Sequence, residues 1–250
     1  MAEKTQKLKI LNRDAIKYLA IIPMAIGHFF SYVPDWETLS PAPLWLKLLT
    51  QMSLLAPPIF FFFIAEGFHY THSRKSYATR LLIFAIITQF PFCLANNGTL
   101  LTTEFFTNLN IFFTLFLGVI ALTIWEKDYS LKKKIILIML VDIASLLLFC
   151  EWLIFGPVII LGFYIFRDNP KKRLIWFGGC ILLHQLIELV LVLDVINFIL
   201  NITFFALSYL CVTTFYNGTK GKHPVFAKWF FYLFYPLHLV VIWIAKYFIV

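Results

Sequence analysis

The sequence predicts an all-α polytopic membrane protein of about nine transmembrane helices, with the N-terminus cytoplasmic and the C-terminus outside. Three observations carry that reading. Apolar residues make up 61% of the 250 and charged residues only 14%, against roughly 45–50% and about 25% in soluble domains. Apolar runs long enough to cross about 30 Å of hydrocarbon recur along the whole chain. The 21 Lys and Arg residues fall almost entirely in alternate connecting segments. Soluble, disordered, collagenous and disulfide-scaffold classes are excluded on composition.

The first expected span, 15–33, follows MAEKTQKLKILNRD, which is too long and polar for the start of a signal peptide, and no small-residue cleavage site follows it. That helix is read as retained. The second, 44–70, is overlong and contains Pro57-Pro58, where a helix loses backbone hydrogen bonds and breaks in two. Spans 77–94, 109–125 and 134–151 follow. The sixth, 152–167, is short and joins the fifth directly at Glu151-Trp152, as a tight hairpin or a re-entrant pair. Spans 174–192, 195–216 and 226–250 complete the set.

Loop charge tests the count independently. With the N-terminus inside, every second connection is basic, and only Lys47 and Lys246 fall outside the pattern. The opposite loops, DWETLSPAP and NNGTLLTTEFFTN, hold acids but no Lys or Arg. The net charge of +8 is therefore topological, and nucleic-acid binding is not expected. Cys93, Cys150, Cys180 and Cys211 are widely spaced in apolar runs, so they read as buried thiols. No repeat or linker divides the chain, so residues 1–250 are read as a single transmembrane domain.

A charged group near mid-bilayer costs about 2.5–3.5 kcal/mol on insertion scales, so each polar residue in a span needs a reason. Lys17 and His28 are eleven residues apart on one face of the first helix, about 16 Å along its axis. Lys17 then sits at the inner interface and His28 lies deep; Asp14, three residues earlier, is placed to pair with Lys17. The plainer alternative is a snorkelling Lys and a His bonded to a carbonyl. A second cluster, FFFIAEGFHYTHSRKSYATRL, carries Glu66 one or two turns inside the membrane, then His69, His72, Arg74, Lys75 and Arg80. Those cations suit a polyanion, or merely lipid headgroups. His69 and His72 have no assignable third ligand, so no metal is expected. Asn108, Asn110, Asp142, the His184/Glu188 pair, Tyr235 and His238 complete the intramembrane polar set, and Tyr235 and His238 are candidates to line the same cavity as His28. No P-loop, Rossmann fingerprint, G-x-S-x-G or H-E-x-x-H is present.

Several segments resemble the TraX family of membrane proteins: AIKYLAIIPMAIGHF, PPIFFFFIAEGFHYTHSRKSYATRLLIFAIITQFPF, LNIFFTLFLGV, EWLIFGPVIILGFYIFR and KWFFYLFYPLHLVVIW. The second is the most specific, because its Glu-Gly-Phe, Arg-Lys-x-Tyr and Arg-Leu elements occur together. Where the family usually shows Asp-His, this chain has Gly27-His28. TraX proteins are in turn similar to the acyltransferase-3 and heparan glucosaminide acetyltransferase group. The Arg and His on the first core helix of acyltransferase-3 proteins correspond to Lys17 and His28, with the bidentate fork lost, and their FF-x-x-SGF segment resembles FFFIAEGF, with Glu66 for Ser.

The resemblance implies transfer of an acetyl group from cytosolic acetyl-CoA to an amine or hydroxyl at the membrane or its outer face, in a bacterial cytoplasmic membrane. The TraX founder is associated with N-terminal acetylation of a pilin, so a peptide terminus or an envelope glycan is the expected acceptor, with lipids as the surroundings. On this reading Lys17, His69, Arg74, Lys75 and Arg80 hold the CoA phosphates and neutral His28 is the general base. Glu66 or His238 orients it, and Asn110 or Tyr235 is a candidate oxyanion donor. A proton-coupled transporter or flippase would also bury His, Glu and Asp. The chain, however, shows none of the paired halves usual in transporters.

Overall fold

The computed structural model describes residues 8–33 and 42–249. Lys4, Lys7, most of the loop 35–43 and Val250 lie outside the described residues. Among the described residues the architecture is helical, without strands.

Helix α1 (Arg13–Tyr32) starts where the Asn12 side chain accepts from the Ala15 amide at 2.9 Å, satisfying an otherwise orphaned donor. Helix α2 (Leu44–Gln51), a 3₁₀ turn (Met52–Leu55) and α3 (Ala56–Tyr70) form the expected broken second span. The break falls just before Pro57-Pro58, because proline lacks an N–H to donate but is tolerated in the first turn of a new helix. Helix α4 (Arg74–Asn97) is capped by Ser73 and ended by left-handed Gly98 at φ 70°. A four-residue helix α5 (Glu104–Thr107) precedes α6 (Ile111–Trp125), α7 (Leu131–Leu147), α8 (Phe155–Ile165), α9 (Pro170–Val192), α10 (Val195–Leu210) and α11 (Pro224–Ile244). Five-residue π turns extend α10 to Phe215 and α11 to Ile249.

Six helical stretches among the described residues are long and apolar enough to cross a membrane: 13–32, 44–70, 74–97, 170–192, 195–215 and 224–248. The expected fourth, fifth and sixth spans are shorter helices of 15, 17 and 11 residues. Backbone pairing removes their ends. Leu109 forms a parallel bridge with Cys150, donating to the Phe149 carbonyl at 3.2 Å and accepting from the Glu151 amide at 2.9 Å. Residues committed to that bridge cannot remain helical. The turn it holds contains three left-handed non-glycine residues, Phe149, Trp152 and Leu153.

The chain groups into two compact units, one running to Phe60 and resuming at Leu182, the other Phe61–Ile181. In the first, α1 packs on α2, the 3₁₀ turn and α11, while α10 packs on α2 and the same turn. Gly27 permits a close approach of α1 to the 3₁₀ turn: a Cβ there would lie 2.6 Å from Ser53 Cβ and 2.8 Å from the Thr50 carbonyl oxygen. In the second, α6 lies among α4, α7 and α8 around fully buried Phe61, Phe68, Val119, Leu122, Ile159 and Ile160.

Lys47, one of the two cations outside the alternating loop pattern, is neutralised locally. Its Nζ lies 2.5 Å from the Asp194 carboxylate, which also caps α10 by accepting from the Asn197 amide at 3.0 Å. A lone cation on the acidic side is thereby paired.

Candidate functional site

In the first unit the ends of α1 and α11 are tied by backbone pairing. Leu11 bridges Tyr216, the Arg13 amide donates to the Thr219 carbonyl at 2.9 Å, and the Gly221 amide donates to Asp14 Oδ2 at 3.1 Å. Asp14, only 5% exposed, is also held by Arg13 Nε at 2.8 Å. Asp14 thus meets a loop arriving from some two hundred residues away, which the local helix face did not reveal.

From that tie the two helices run parallel. Tyr18 meets Phe230 and Phe231 at ring-centroid distances of 5.3 and 4.8 Å. His28 lies fourteen residues after Asp14, and His238 fourteen after Pro224 at the start of α11, so equal rise of about 21 Å brings both imidazoles to one depth. Their rings stack at 5.2 Å, with His28 Nδ1 2.9 Å from His238 Nε2. Tyr235 stands edge-on to both, 6.4 Å from His28 and 5.0 Å from His238, and Tyr32 edges His28 at 5.9 Å.

The proton positions follow from the acceptor. His238 Nδ1 lies 3.2 Å from the Phe234 carbonyl, which can only accept. In the neutral ring Nδ1 therefore carries the hydrogen and Nε2 keeps its lone pair. His28 Nδ1–H then donates to it, which leaves His28 Nε2 as the basic nitrogen. Lys17, three turns away on α1, places its ammonium 5.8 Å from the Phe60 ring and 5.4 Å from that of Phe231.

In the second unit the geometry accounts for the specific motif. Tyr77 lies over Gly67, whose added Cβ would be 3.1 Å from the Tyr77 hydroxyl. Arg80 sits 5.8 Å from the Tyr77 ring, and its buried Nε finds no partner among the described residues. Arg74 lies 4.8 Å from the ring of fully buried Phe68 and pairs with Glu126, which also accepts from the Tyr164 hydroxyl. Glu126 had no motif around it and was missed; its place at the end of α6, opposite a basic helix start, was the available signal. Glu66 is half-buried on α3, while His69 and Lys75 are exposed, His69 beside the rings of Tyr70 and Tyr164.

The family model described as TraX protein matches residues 12–246, which takes in both tied helices and the Gly67–Tyr77–Arg80 arrangement. The chain belongs to the TraX family. It is also similar to a protein described as a probable fimbrial assembly protein FimC, serogroup H1, of Dichelobacter nodosus, at 28% identity over 254 residues covering 94% of this chain and 95% of that one. No solved structure matches.

Other polar groups in this TraX chain are engaged in holding helices together. Asn110, fully buried, caps α6 through Phe112 N and donates both amide hydrogens, to the Ala85 carbonyl at 2.9 Å and Gln89 Oε1 at 2.8 Å. Gln89 in turn donates to the Phe105 and Asn108 carbonyls at 3.0 and 2.8 Å. With both hydrogens committed, Asn110 has none left for an oxyanion. His184 and Glu188 share Gln185, whose Nε2 lies 2.8 Å from each, while Gln185 Oε1 accepts from Asn201 Nδ2 at 2.8 Å. The Oδ1 of Asp142 on α7 is buried with no partner among the described residues.

Proposed function

We propose that the chain is an integral acetyltransferase of the bacterial cytoplasmic membrane, crossing it nine times with its N-terminus in the cytosol and its C-terminus outside. It moves the acetyl group of cytosolic acetyl-CoA to an amine or hydroxyl of an acceptor at the membrane or its outer face. The observation that carries this reading is the His28–His238 pair, two hydrogen-bonded imidazoles on adjacent membrane-spanning helices with a carbonyl fixing their tautomers.

His28 Nε2 takes the proton of the attacking amine or hydroxyl as the new bond to the acetyl carbon forms. The carbon–sulfur bond of the thioester breaks, and His28 returns the proton to the departing thiolate. His238 accepts from His28 Nδ1–H throughout, stabilising the transient imidazolium and holding the ring in place. Cationic groups suited to the CoA phosphates are present in each unit: Lys17 among rings in the first, Arg80 with its unsatisfied Nε and exposed Lys75 in the second. Arg74 is already engaged by Glu126. The printed name of the Dichelobacter relative, a fimbrial assembly protein, supports a pilin-like peptide terminus as one acceptor class.

The test is transfer from labelled acetyl-CoA by the purified protein in lipid nanodiscs. His28→Ala should lower the rate by about 10²–10⁴-fold, and a wild-type rate would remove the base. Lys17→Ala and Arg80→Ala should mainly raise KM for acetyl-CoA, and unchanged KM in both would put the phosphate site elsewhere.

A further inference from the structure

Two arginines of the second unit have a buried nitrogen left over. Arg80 on α4 holds its guanidinium 5.8 Å from the Tyr77 ring, and Tyr77 rests on Gly67 of α3. Arg173 on α9 holds its guanidinium 6.0 Å from the ring of Phe62, also on α3, and one terminal nitrogen donates to the Arg167 carbonyl at 3.3 Å. In both, Nε is buried with no hydrogen-bond partner among the described residues. The two sit at similar depth. Arg80 lies six residues, about 9 Å, into α4, and Phe62 lies eight residues, about 12 Å, before the end of α3 that leads into α4. Along α3 the points they refer to, Phe62 and Gly67, are about 7.5 Å apart.

We infer that Arg80 and Arg173 together hold the phosphates of one ligand. Its identity as the CoA donor rests on the acetyltransferase reading; the guanidinium pair itself does not. An arginine that merely marks the cytosolic side of a helix snorkels, keeping its head in water, whereas here each Nε is withdrawn from solvent. A buried donor on a cation is costly to leave unmade, and more so in a membrane. The nearby acids do not meet that need. Glu126 is engaged by Arg74 and Asp168 by Arg167. Glu66, half-buried on α3 between Phe62 and Gly67, is one carboxylate against two guanidiniums. Phosphate oxygens suit the planar fork of arginine, accepting from Nε and a terminal nitrogen at once. Both arginines are half-buried rather than sealed off, and a ligand with more than one phosphate can engage them together. The pair adds Arg173, on a helix with no part in the motif around Arg80.

The test is equilibrium binding to the full chain in phosphatidylcholine nanodiscs, with CoA and phosphate-free pantetheine as probes. Arg80→Gln and Arg173→Gln should each weaken CoA about 10–100-fold and leave pantetheine unchanged. Arg173→Lys, which keeps the charge but loses the fork, should fall between. Lys171→Gln, at an exposed neighbour on α9, should stay within about twofold. Should Arg80→Gln fail to accumulate, the two Arg173 variants carry the comparison. CoA binding by Arg173→Gln at wild-type strength would overturn the pair, as would an equal loss in Lys171→Gln or equal affinity of the wild type for CoA and pantetheine. If that variant also transfers label from acetyl-CoA with an unchanged KM, the pair fails and the transferase reading stands. A second arm adds radiolabelled phosphatidylglycerol to the nanodiscs. Retention of that lipid by the wild type and its release in both Gln variants, with no CoA bound, would uphold the pair with a headgroup phosphate as ligand and sink the transferase reading.

Discussion

The Nδ1 of His28 and the Nε2 of His238 lie 2.9 Å apart, and the Phe234 carbonyl 3.2 Å from the far side of His238 sets the direction of the hydrogen between them. A glutamine at 238 can still offer an acceptor oxygen near the position of Nε2, whereas alanine cannot. His238→Gln should therefore retain much of the transfer rate, about a tenfold loss, while His238→Ala should lose about 10²–10³-fold. His28→Gln should be as inactive as His28→Ala, because an amide is no base. Steady-state rates of the four variants check this ordering.

Gly27 allows α1 to lie against the 3₁₀ turn of the first unit, where a Cβ would fall 2.6 Å from that of Ser53. Gly27→Ala should destabilise the protein by about 1–3 kcal/mol through overpacking. The matched control is Gly178→Ala on α9, where a Cβ meets nothing within 4 Å and the helical gain of about 0.5–1 kcal/mol should appear instead. Thermal unfolding in detergent, followed side by side, reads the opposite signs.

Lys47 and the Asn197 amide hold the Asp194 carboxyl below its ordinary value of 3.8, the lysine hydrogen bond contributing most. Because the folded pKa is the lower one, the stabilisation is fully present above the ordinary carboxylate value and is lost as pH falls through the folded value. Asp194→Asn keeps the cap on α10 but removes the charge, so it should cost about 0.5–1 kcal/mol at neutral pH. That difference should vanish below the carboxylate range. Asp194→Ala loses the cap as well and should stay destabilised, by about 1 kcal/mol, at every pH. Melting curves from pH 2 to 7 separate the two variants.

The pairing of Arg74 with Glu126, shared by Tyr164, makes Arg74 a tie among α4, α6 and α8 rather than a spare cation. Arg74→Ala and Glu126→Ala should each lower the thermal midpoint and leave KM for acetyl-CoA near wild type. Arg80→Ala should do the reverse. A raised KM in Arg74→Ala without loss of stability would return that residue to the phosphate site.

Asn110→Ala would strip the cap from the Phe112 amide and remove the side-chain bonds to the Ala85 carbonyl and to the Gln89 amide oxygen, which keeps the residue-110 backbone amide at 3.2 Å. The orphaned Phe112 donor costs about 1–3 kcal/mol, so the variant should melt at a clearly lower temperature. A stable Asn110→Ala protein with a slowed chemical step would reinstate it as an oxyanion donor.

Elements dominated by hydropathy were readable in advance: 44–70 appears with its interruption beside Pro57-Pro58, and 195–216 as α10 with its π extension. The mid-chain helices were read as too long, because the Leu109–Cys150 bridge that trims them joins residues far apart in sequence. His28, Tyr235 and His238 were visible as polar interruptions of apolar runs. Glu126 and Gln89 were not, since neither has a neighbour in sequence that betrays its partner.

What the chain's own composition and order determined is the class of structure: with so little charge and such long apolar runs, the backbone must satisfy itself in helices, and lipid permits little else. Which helix lies beside which was decided only by tertiary structure. Leu11 pairs with Tyr216, Asp14 with Gly221, and His28 with His238, contacts between segments about two hundred residues apart that no local period encodes. Hydropathy says how deep a residue sits; the parallel register of α1 and α11 says what it meets there.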